Sequence, residues 1–203
     1  MSEELFWNRC KQYACCLSGH RALPSGAQLE RLRQNLKKTI AKLVQEEITL
    51  FYVGGALGFD TLAAMTVLEM KAYFPQIRLY LALPCPEQHE RWSKEDKALY
   101  EQIKEHADRV DYVSKQYTPD CMKKRNYYMV DHSCVCAYYL IHSMRSGTAQ
   151  TVHYAGKQGS RLIDLSAEEP EDSWESSDLL QKTLLWKEEV TVREFYQKKE
   201  GEC

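Results

Sequence analysis

Six short strand-like runs separated by longer segments of helical spacing constrain this chain more than any other feature. The runs fall at residues 13–17, 49–53, 77–83, 109–113, 134–141 and 161–165. Strands joined through a helix-length crossover pair in parallel, whereas a hairpin needs only a tight turn. The repeated order therefore predicts an α/β chain in three layers, with a mostly parallel sheet of five to six strands and helices on both faces. The intervening segments agree. Residues 27–46 place Leu29, Leu32, Leu36, Ile40, Leu43 and Val44 at helical spacing.

The remaining segments fill in the same rhythm. A second helix is expected over residues 60–74, and the third run stops at Pro84-Cys85-Pro86. A polar helix begins near Ser93, whose side chain can cap it while Asp96 occupies the capping-box position. Thr118-Pro119 reads as a cap followed by proline at the first helical position, for a helix over residues 118–132. The fifth run is nearly all apolar and is expected in the sheet centre, buried on both faces. Ser146-Gly147-Thr148 opens another helix, with Thr148, Thr151, Val152 and Ala155 as its inward stripe.

Beyond Leu165 the composition changes: residues 168–172 are acidic and broken by Pro170, and 177–199 can form one more helix. The expected organisation is a domain over 1–166 and an acidic linker with helical extension over 167–203. That last helix is the candidate surface for self-association.

Bulk properties exclude several classes. The net charge of −2 gives no basic field for a nucleic-acid backbone, which argues against a nucleic-acid partner. No apolar run reaches membrane-spanning length, and Met1-Ser2-Glu3-Glu4 lacks the basic start of a signal peptide, so a cytoplasmic protein without membrane contact is expected. The eight cysteines do not form a disulfide framework. Cys15, Cys16, Cys134 and Cys136 lie inside apolar runs, where free cysteine acts as a small hydrophobe. No C-x-x-C pair is present. A metal set assembled from His20, Cys85, His89 and His132 is the one conceivable alternative to no metal.

In an open parallel sheet, ligands bind beyond the carboxyl ends of the strands. The first strand ends in Ser18-Gly19-His20-Arg21, where guanidinium geometry suits a phosphate or carboxylate. The second ends in Gly54-Gly55-Ala56-Leu57-Gly58-Phe59-Asp60, a glycine-rich turn opening a helix. Such a turn serves either an anion, through close backbone approach and free helical N–H groups, or a tight strand-to-helix connection. Asp60 either caps its helix or holds ribose hydroxyls or an amine. The third strand leads to Glu87 and Gln88, with Trp92 as either core packing or a platform for a base. Cys85 and His89 stand at nucleophile–base spacing without an orienting third group. Arg125 and Asn126, beside Lys123 and Lys124, read on spacing alone as a solvated helix face.

Taken in order, Ser18-Gly-His-Arg21, Gly54-Gly-Ala-Leu-Gly-Phe-Asp60, Leu83-Pro-Cys-Pro-Glu-Gln88 with Arg91-Trp92, and Tyr117-Thr-Pro-Asp-Cys-Met122 followed by Arg125-Asn126 and Met129-Val-Asp131 resemble the YpsA-like branch of the SLOG superfamily. That superfamily joins the DNA-processing protein DprA with the LOG phosphoribohydrolases. The resemblance covers roughly residues 10–165 and implies a Rossmann-like domain binding a nucleotide or a nucleotide-derived ligand such as NAD or ADP-ribose, with no other cofactor. It raises Arg125 and Asn126 to site candidates, and Ser146, Gly147 and Thr148 to a second phosphate turn beside Gly54, Gly55 and Gly58.

LOG enzymes carry a Gly-Gly-x-Gly-Thr turn with a glutamate soon after. Here the turn is Gly54-Gly55-x-x-Gly58, and no glutamate precedes Glu69. Ala64 stands where the DprA motif ends in histidine. The expectation is thus a nucleotide-ligand binding protein, in the role of a sensor in a bacterial or phage stress or defence circuit. The alternatives are an enzyme cleaving an N-glycosidic bond through Asp60 or Glu87, and a DprA-like single-stranded DNA-binding protein.

Overall fold

All six runs form strands: β1 (Ala14–Gly19), β2 (Leu50–Val53), β3 (Arg78–Leu83), β4 (Arg109–Tyr112), β5 (Val135–Tyr139) and β6 (Arg161–Asp164). The structure, a computed structural model, describes residues 10–141 and 145–167. The acidic linker and the helix expected over 177–199 lie outside the described residues. Between the strands run α1 (Gly26–Gln45), α2 (Phe59–Met70), α3 (Lys94–His106), α4 (Cys121–Asp131) and α5 (Gly147–Lys157). A one-turn 3₁₀ helix, Pro86–His89, follows β3 and was not foreseen.

The sheet order is β4-β3-β2-β1-β5-β6, and every pairing is parallel. Alternation sorts the strand side chains between two faces. Cys16, Tyr52, Ala82 and Cys136 form one buried cluster with Met129 and Val130 of α4 and Ala155 of α5. Cys15, Leu17, Phe51, Val53, Leu79, Leu81 and Leu83 are equally buried and turn to the opposite face. There α1 contributes Leu32, Leu36, Ile40 and Leu43, and α2 contributes Leu62, Ala63 and Val67. Each such aliphatic side chain removed from water stabilises the fold by about 1.5–3 kcal/mol. The result is a three-layer, Rossmann-like α/β fold.

Three details depart from the sequence reading. β5 lies one place from the edge of the sheet, beside the exposed strand β6, and not at its centre. It is still mostly buried, because strand β1 on one side, β6 on the other and α5 enclose it.

α4 starts at Cys121 instead of Thr118. The Thr118 hydroxyl turns to Asp120 at 2.8 Å, and the Cys121 N–H donates to the Thr118 carbonyl at 3.0 Å, which closes a turn ahead of the helix. α2 ends at Met70, with a non-helical turn carrying the chain to Phe74. The Ser93 cap forms as expected, accepting from the Asp96 N–H at 3.1 Å.

From β1 to β4 each connection moves outward to one side; α4 then carries the chain back across the sheet to β5, and α5 continues to β6 on the other side. Neighbouring connections therefore diverge between β1 and β5. A crevice opens at the carboxyl ends of two such strands.

Candidate functional site

A pocket of about 280 Å³ occupies that point. Its lining joins three strand ends and one helix face. Ser18 and Gly19 end β1 and His20 and Arg21 follow it; Ala56 and Leu57 belong to the turn after β2 and Asp60 to the first turn of α2; Ser146, Gly147 and Thr148 open α5. Met122, Arg125, Asn126 and Met129 come from α4, at the i, i+3, i+4, i+7 spacing of a single helix face. Met122 and Met129 stood in the family motif but not among the site candidates, although that spacing from Arg125 and Asn126 was there to find them.

The centre of the site is a buried ion pair. Arg125 and Asp60 are each 6% exposed, and Arg125 Nη1 donates to Asp60 Oδ2 at 3.1 Å. The same carboxylate oxygen accepts from the Ala56 N–H, also at 3.1 Å. Both contacts fall on Oδ2, so Oδ1 takes neither. Burial pushes the Asp60 carboxyl above the ordinary range, while the Arg125 guanidinium and the Ala56 N–H pull it back. Arg125 Nε and His20 Nε2 have no hydrogen-bond partner.

The glycine turn serves this pair. A Cβ on Gly54 would stand 1.4 Å from Arg125 Nη1 and 2.7 Å from Asp60 Oδ2, so only glycine lets the guanidinium lie against the backbone. Gly58 has φ of 81°, and a Cβ there would meet the Arg21 carbonyl oxygen at 2.0 Å. Three of the turn's polar groups are bound internally: Ala56 N–H to Asp60, the Ala56 carbonyl to Thr61, the Gly55 carbonyl to Gln88 Nε2. The Phe59 N–H donates to the His20 carbonyl at 3.1 Å, tying the turn to the end of β1.

At the opposite wall the first turn of α5 faces the pocket. Ser146 Oγ accepts from the Ala149 N–H at 3.1 Å, a helix cap. The Asn126 amide lies over this terminus, with Nδ2 3.9 Å from where a Gly147 Cβ would be. A helix N-terminus presents unpaired N–H groups and a positive dipole end. With the exposed Arg21, it brings positive charge to a lining that also holds the Arg125–Asp60 pair.

Ten sequence candidates thus come together: Ser18, Gly19, His20, Arg21, Asp60, Arg125, Asn126, Ser146, Gly147 and Thr148. Gly54, Gly55, Gly58, Glu87, Gln88 and Trp92 are not in the lining. Gln88 braces the glycine turn and also donates to the Tyr100 hydroxyl at 3.1 Å. Trp92 packs edge-on against Tyr100, ring centroids 5.3 Å apart, and against His89.

Burial, with Glu87 beside it, pushes the Cys85 thiol up to about 11, so it is protonated at neutral pH. His89 Nε2 lies 3.7 Å from Glu101 Oε1. Among the described residues no three His, Cys, Asp or Glu side chains gather as a metal-ligand set, and no helix is long and apolar enough to cross a membrane.

A parallel sheet with its pocket between two diverging connections defines the Rossmann-like class. Within that class, the profile of YpsA, the YspA SLOG family, matches residues 24–160, and the chain belongs to this family.

Among its relatives is the uncharacterized SPbeta prophage-derived protein YoqJ of Bacillus subtilis (strain 168), 33% identical over 141 residues, covering 63% of this chain and 81% of that protein. A UPF0398 protein of Bacillus cereus (strain B4264) is 28% identical over 107 residues, covering 52% of this chain and 58% of the relative. Against the latter the chain spans little more than half the length.

Two solved DNA processing protein A structures share the fold. That of Helicobacter pylori, described for its single-stranded DNA binding mode, has a TM-score of 0.56 at 16% identity, covering 88% of this chain and 74% of that one. That of Streptococcus pneumoniae has a TM-score of 0.55 at 16% identity, covering 96% and 63%.

Proposed function

We propose that the pocket between β1 and β5 binds a nucleotide or a nucleotide-derived small molecule. The observation that carries this reading is one lining that gathers Arg21, the α5 N-terminus and the buried Arg125–Asp60 pair. Phosphate suits Arg21 and the helix terminus, and ribose hydroxyls suit the Asp60 carboxylate. We place the phosphate at Ser146–Thr148, which line the pocket, rather than at Gly54, Gly55 and Gly58, which do not. A sensor role follows if binding, and not turnover, is the output.

The test is thermal unfolding of the full chain with nucleoside monophosphates, cyclic nucleotides, NAD and ADP-ribose. Ligand at a hundredfold above its Kd stabilises by about 2.7 kcal/mol. That raises Tm by roughly 5–10 °C for a chain of this size. A panel that leaves Tm unmoved removes the reading.

A second reading is favoured by one observation, the buried Asp60 whose carboxyl lies above its ordinary range within the pocket. A carboxyl so tuned suits general acid–base work on an N-glycosidic bond. Release of free base from a stabilising nucleotide, lost in Asp60→Asn, supports it. The likeness to DprA brings single-stranded DNA into the comparison, and salt-sensitive retention of an oligonucleotide would move the ranking toward it.

A further inference from the structure

We propose that residues 1–9, through Leu5, Phe6 and Trp7, lie across the β3–β4 end of the sheet face shared by α4 and α5, and hold α4 on a flank other than the one that lines the pocket. This stands apart from the nucleotide reading above. Three observations carry it.

The first is a gap in the cover of that face. α1 and α2 serve the opposite face, and α3 joins them there, its Tyr100 ring lying with Leu83 beside Gly55. Three helices thus serve one face of the six strands and two serve the other. On the α4/α5 face, Met129 and Val130 of α4 and Ala155 of α5 pack with Tyr52, Ala82 and Cys136. α4 reaches β4 through the long Tyr128 side chain, whose hydroxyl donates to Asp111 at 3.2 Å. Tyr80, in register with Tyr52 and Arg109, is half-buried, and the Arg78 and Arg109 side chains are 43% and 35% exposed. A sheet face that lacks a helix has to bury its apolar surface against some other element.

The second is where residues 1–9 join the described chain. The Tyr13 N–H donates to the Cys10 carbonyl at 3.0 Å, a turn at the amino end of β1. The Gln12 carbonyl accepts from the Cys134 thiol at 3.3 Å. Cys134 shares the side of Cys136 by strand alternation, so the turn sits at the α4/α5 face. Burial pushes the Tyr80 hydroxyl above its ordinary range, the Arg109 guanidinium pulls it back, and the Cys10 thiol lies near enough to push it up again. The segment therefore enters beside the gap. β4 is the third strand over from β1. Three interstrand steps cover about 14 Å, and nine extended residues span about 30 Å, so the segment reaches.

The third is chemistry. Leu5-Phe6-Trp7 follows Glu3-Glu4 directly. The gap offers a set of aromatic rings, Tyr52 and Tyr80 with centroids 5.4 Å apart and Tyr52 and Tyr128 with centroids 6.5 Å apart, both pairs edge to face. Further aromatic rings pack favourably on such a set. The ion pairs at its rim join three cations, Lys71, Arg78 and Arg109, to two carboxylates, Asp108 and Asp111, and the positive charge left over suits Glu3 and Glu4. Tyr128 and His132, whose rings lie 4.0 Å apart, form the α4 wall of the gap. Neither lines the pocket, so the segment holds a second flank of the helix that carries Arg125 and Asn126.

A double-mutant cycle in the full chain, read by thermal unfolding, tests this. Phe6→Ala/Trp7→Ala alters neither a pocket residue nor a strand, and is expected to lower Tm by roughly 4–12 °C through the loss of two aromatic side chains from a buried contact. In a Tyr80→Ala background the same pair should lower Tm by less than half as much. In a Leu162→Ala background, at an exposed position on β6 at the far edge of the sheet, it should cost what it costs in the natural chain.

Hydrogen exchange followed by mass spectrometry decides the matter if Tyr80→Ala fails to fold. In Phe6→Ala/Trp7→Ala, peptides over residues 78–83 and 109–112 should exchange at least about threefold faster than in the natural chain, while those over 161–164 keep their rate. A cycle that is additive at Tyr80, or unchanged exchange at β3 and β4, overturns the proposal. So does a fall from dimer to monomer in sedimentation velocity when Phe6 and Trp7 are replaced, because the segment then docks on a second copy of the chain.

Discussion

Gly54→Ala isolates the contact on which the site depends. Gly54 is not among the positive-φ glycines of the described chain, so alanine meets no backbone strain there. Its Cβ would instead stand 1.4 Å from Arg125 Nη1 and 2.2 Å from Arg125 Cζ. A guanidinium is the movable end of a long side chain, but this one is 6% exposed and paired with Asp60. Displacing it separates two buried charges, which costs about 3–5 kcal/mol when a partner is lost. Tm should fall by roughly 6–20 °C for a chain of this size.

The reasoning is tested by repeating the substitution in an Asp60→Ala/Arg125→Met background. Met ends one bond short of the guanidinium carbon and Ala removes the carboxylate 2.7 Å from the new methyl, so the methyl strikes neither. Gly54→Ala should then cost less than about 1 kcal/mol, giving a coupling of at least about 2 kcal/mol in the cycle. Urea unfolding followed by far-ultraviolet circular dichroism supplies all four free energies, with equal m-values as the check on two-state behaviour. An equal cost in both backgrounds would show that the turn itself, and not the ion pair behind it, requires glycine.

Gly58→Ala should behave differently: its Cβ meets a backbone carbonyl and its φ is 81°, so no side-chain change relieves it and a loss of at least about 3 kcal/mol is expected by urea unfolding. Ser93→Ala removes the cap on α3 and should cost about 1 kcal/mol, read from the same assay. For pH, Asp60 holds its proton in the native state to higher pH than in the unfolded chain. Its contribution to stability is therefore fullest below about pH 4 and is lost as pH rises through its raised value. The stability of the natural chain relative to Asp60→Asn should fall over that window; a rise would mean that Arg125 outweighs burial.

Much of the fold was legible because parallel strands covered on both faces must be short apolar runs, as residues 49–53 and 77–83 are. The order of strands was not, since nothing in residues 134–141 says that α4 carries the chain past three strands before β5 pairs with β1. Local signals misled where a side chain had a nearer partner. Thr118 found Asp120, so the Thr-Pro signature marked a turn three residues ahead of its helix. Arg125 was the reverse case. Its charged neighbours read as a solvated face, yet its own side chain is buried by a glycine 71 positions earlier, a relation that only the ordered family motif suggested.

The glycine turn changes meaning once its hydrogen bonds are traced. A glycine-rich connection from strand to helix can offer its N–H groups to phosphate, but here Ala56 N–H and the Gly55 and Ala56 carbonyls all have protein partners. What the small residues admit is a guanidinium, and the guanidinium in turn fixes α4 against the end of β2. Helix α4 also carries Met122, Asn126 and Met129, so the same contact sets the width of the pocket between that helix and the end of β1. The positive charge therefore reaches the crevice through a side chain braced by the turn, while the helix N-terminus that lines the crevice belongs to α5. This division gives the Gly54-Gly55-x-x-Gly58 turn a bracing role, holding the guanidinium that lines the crevice.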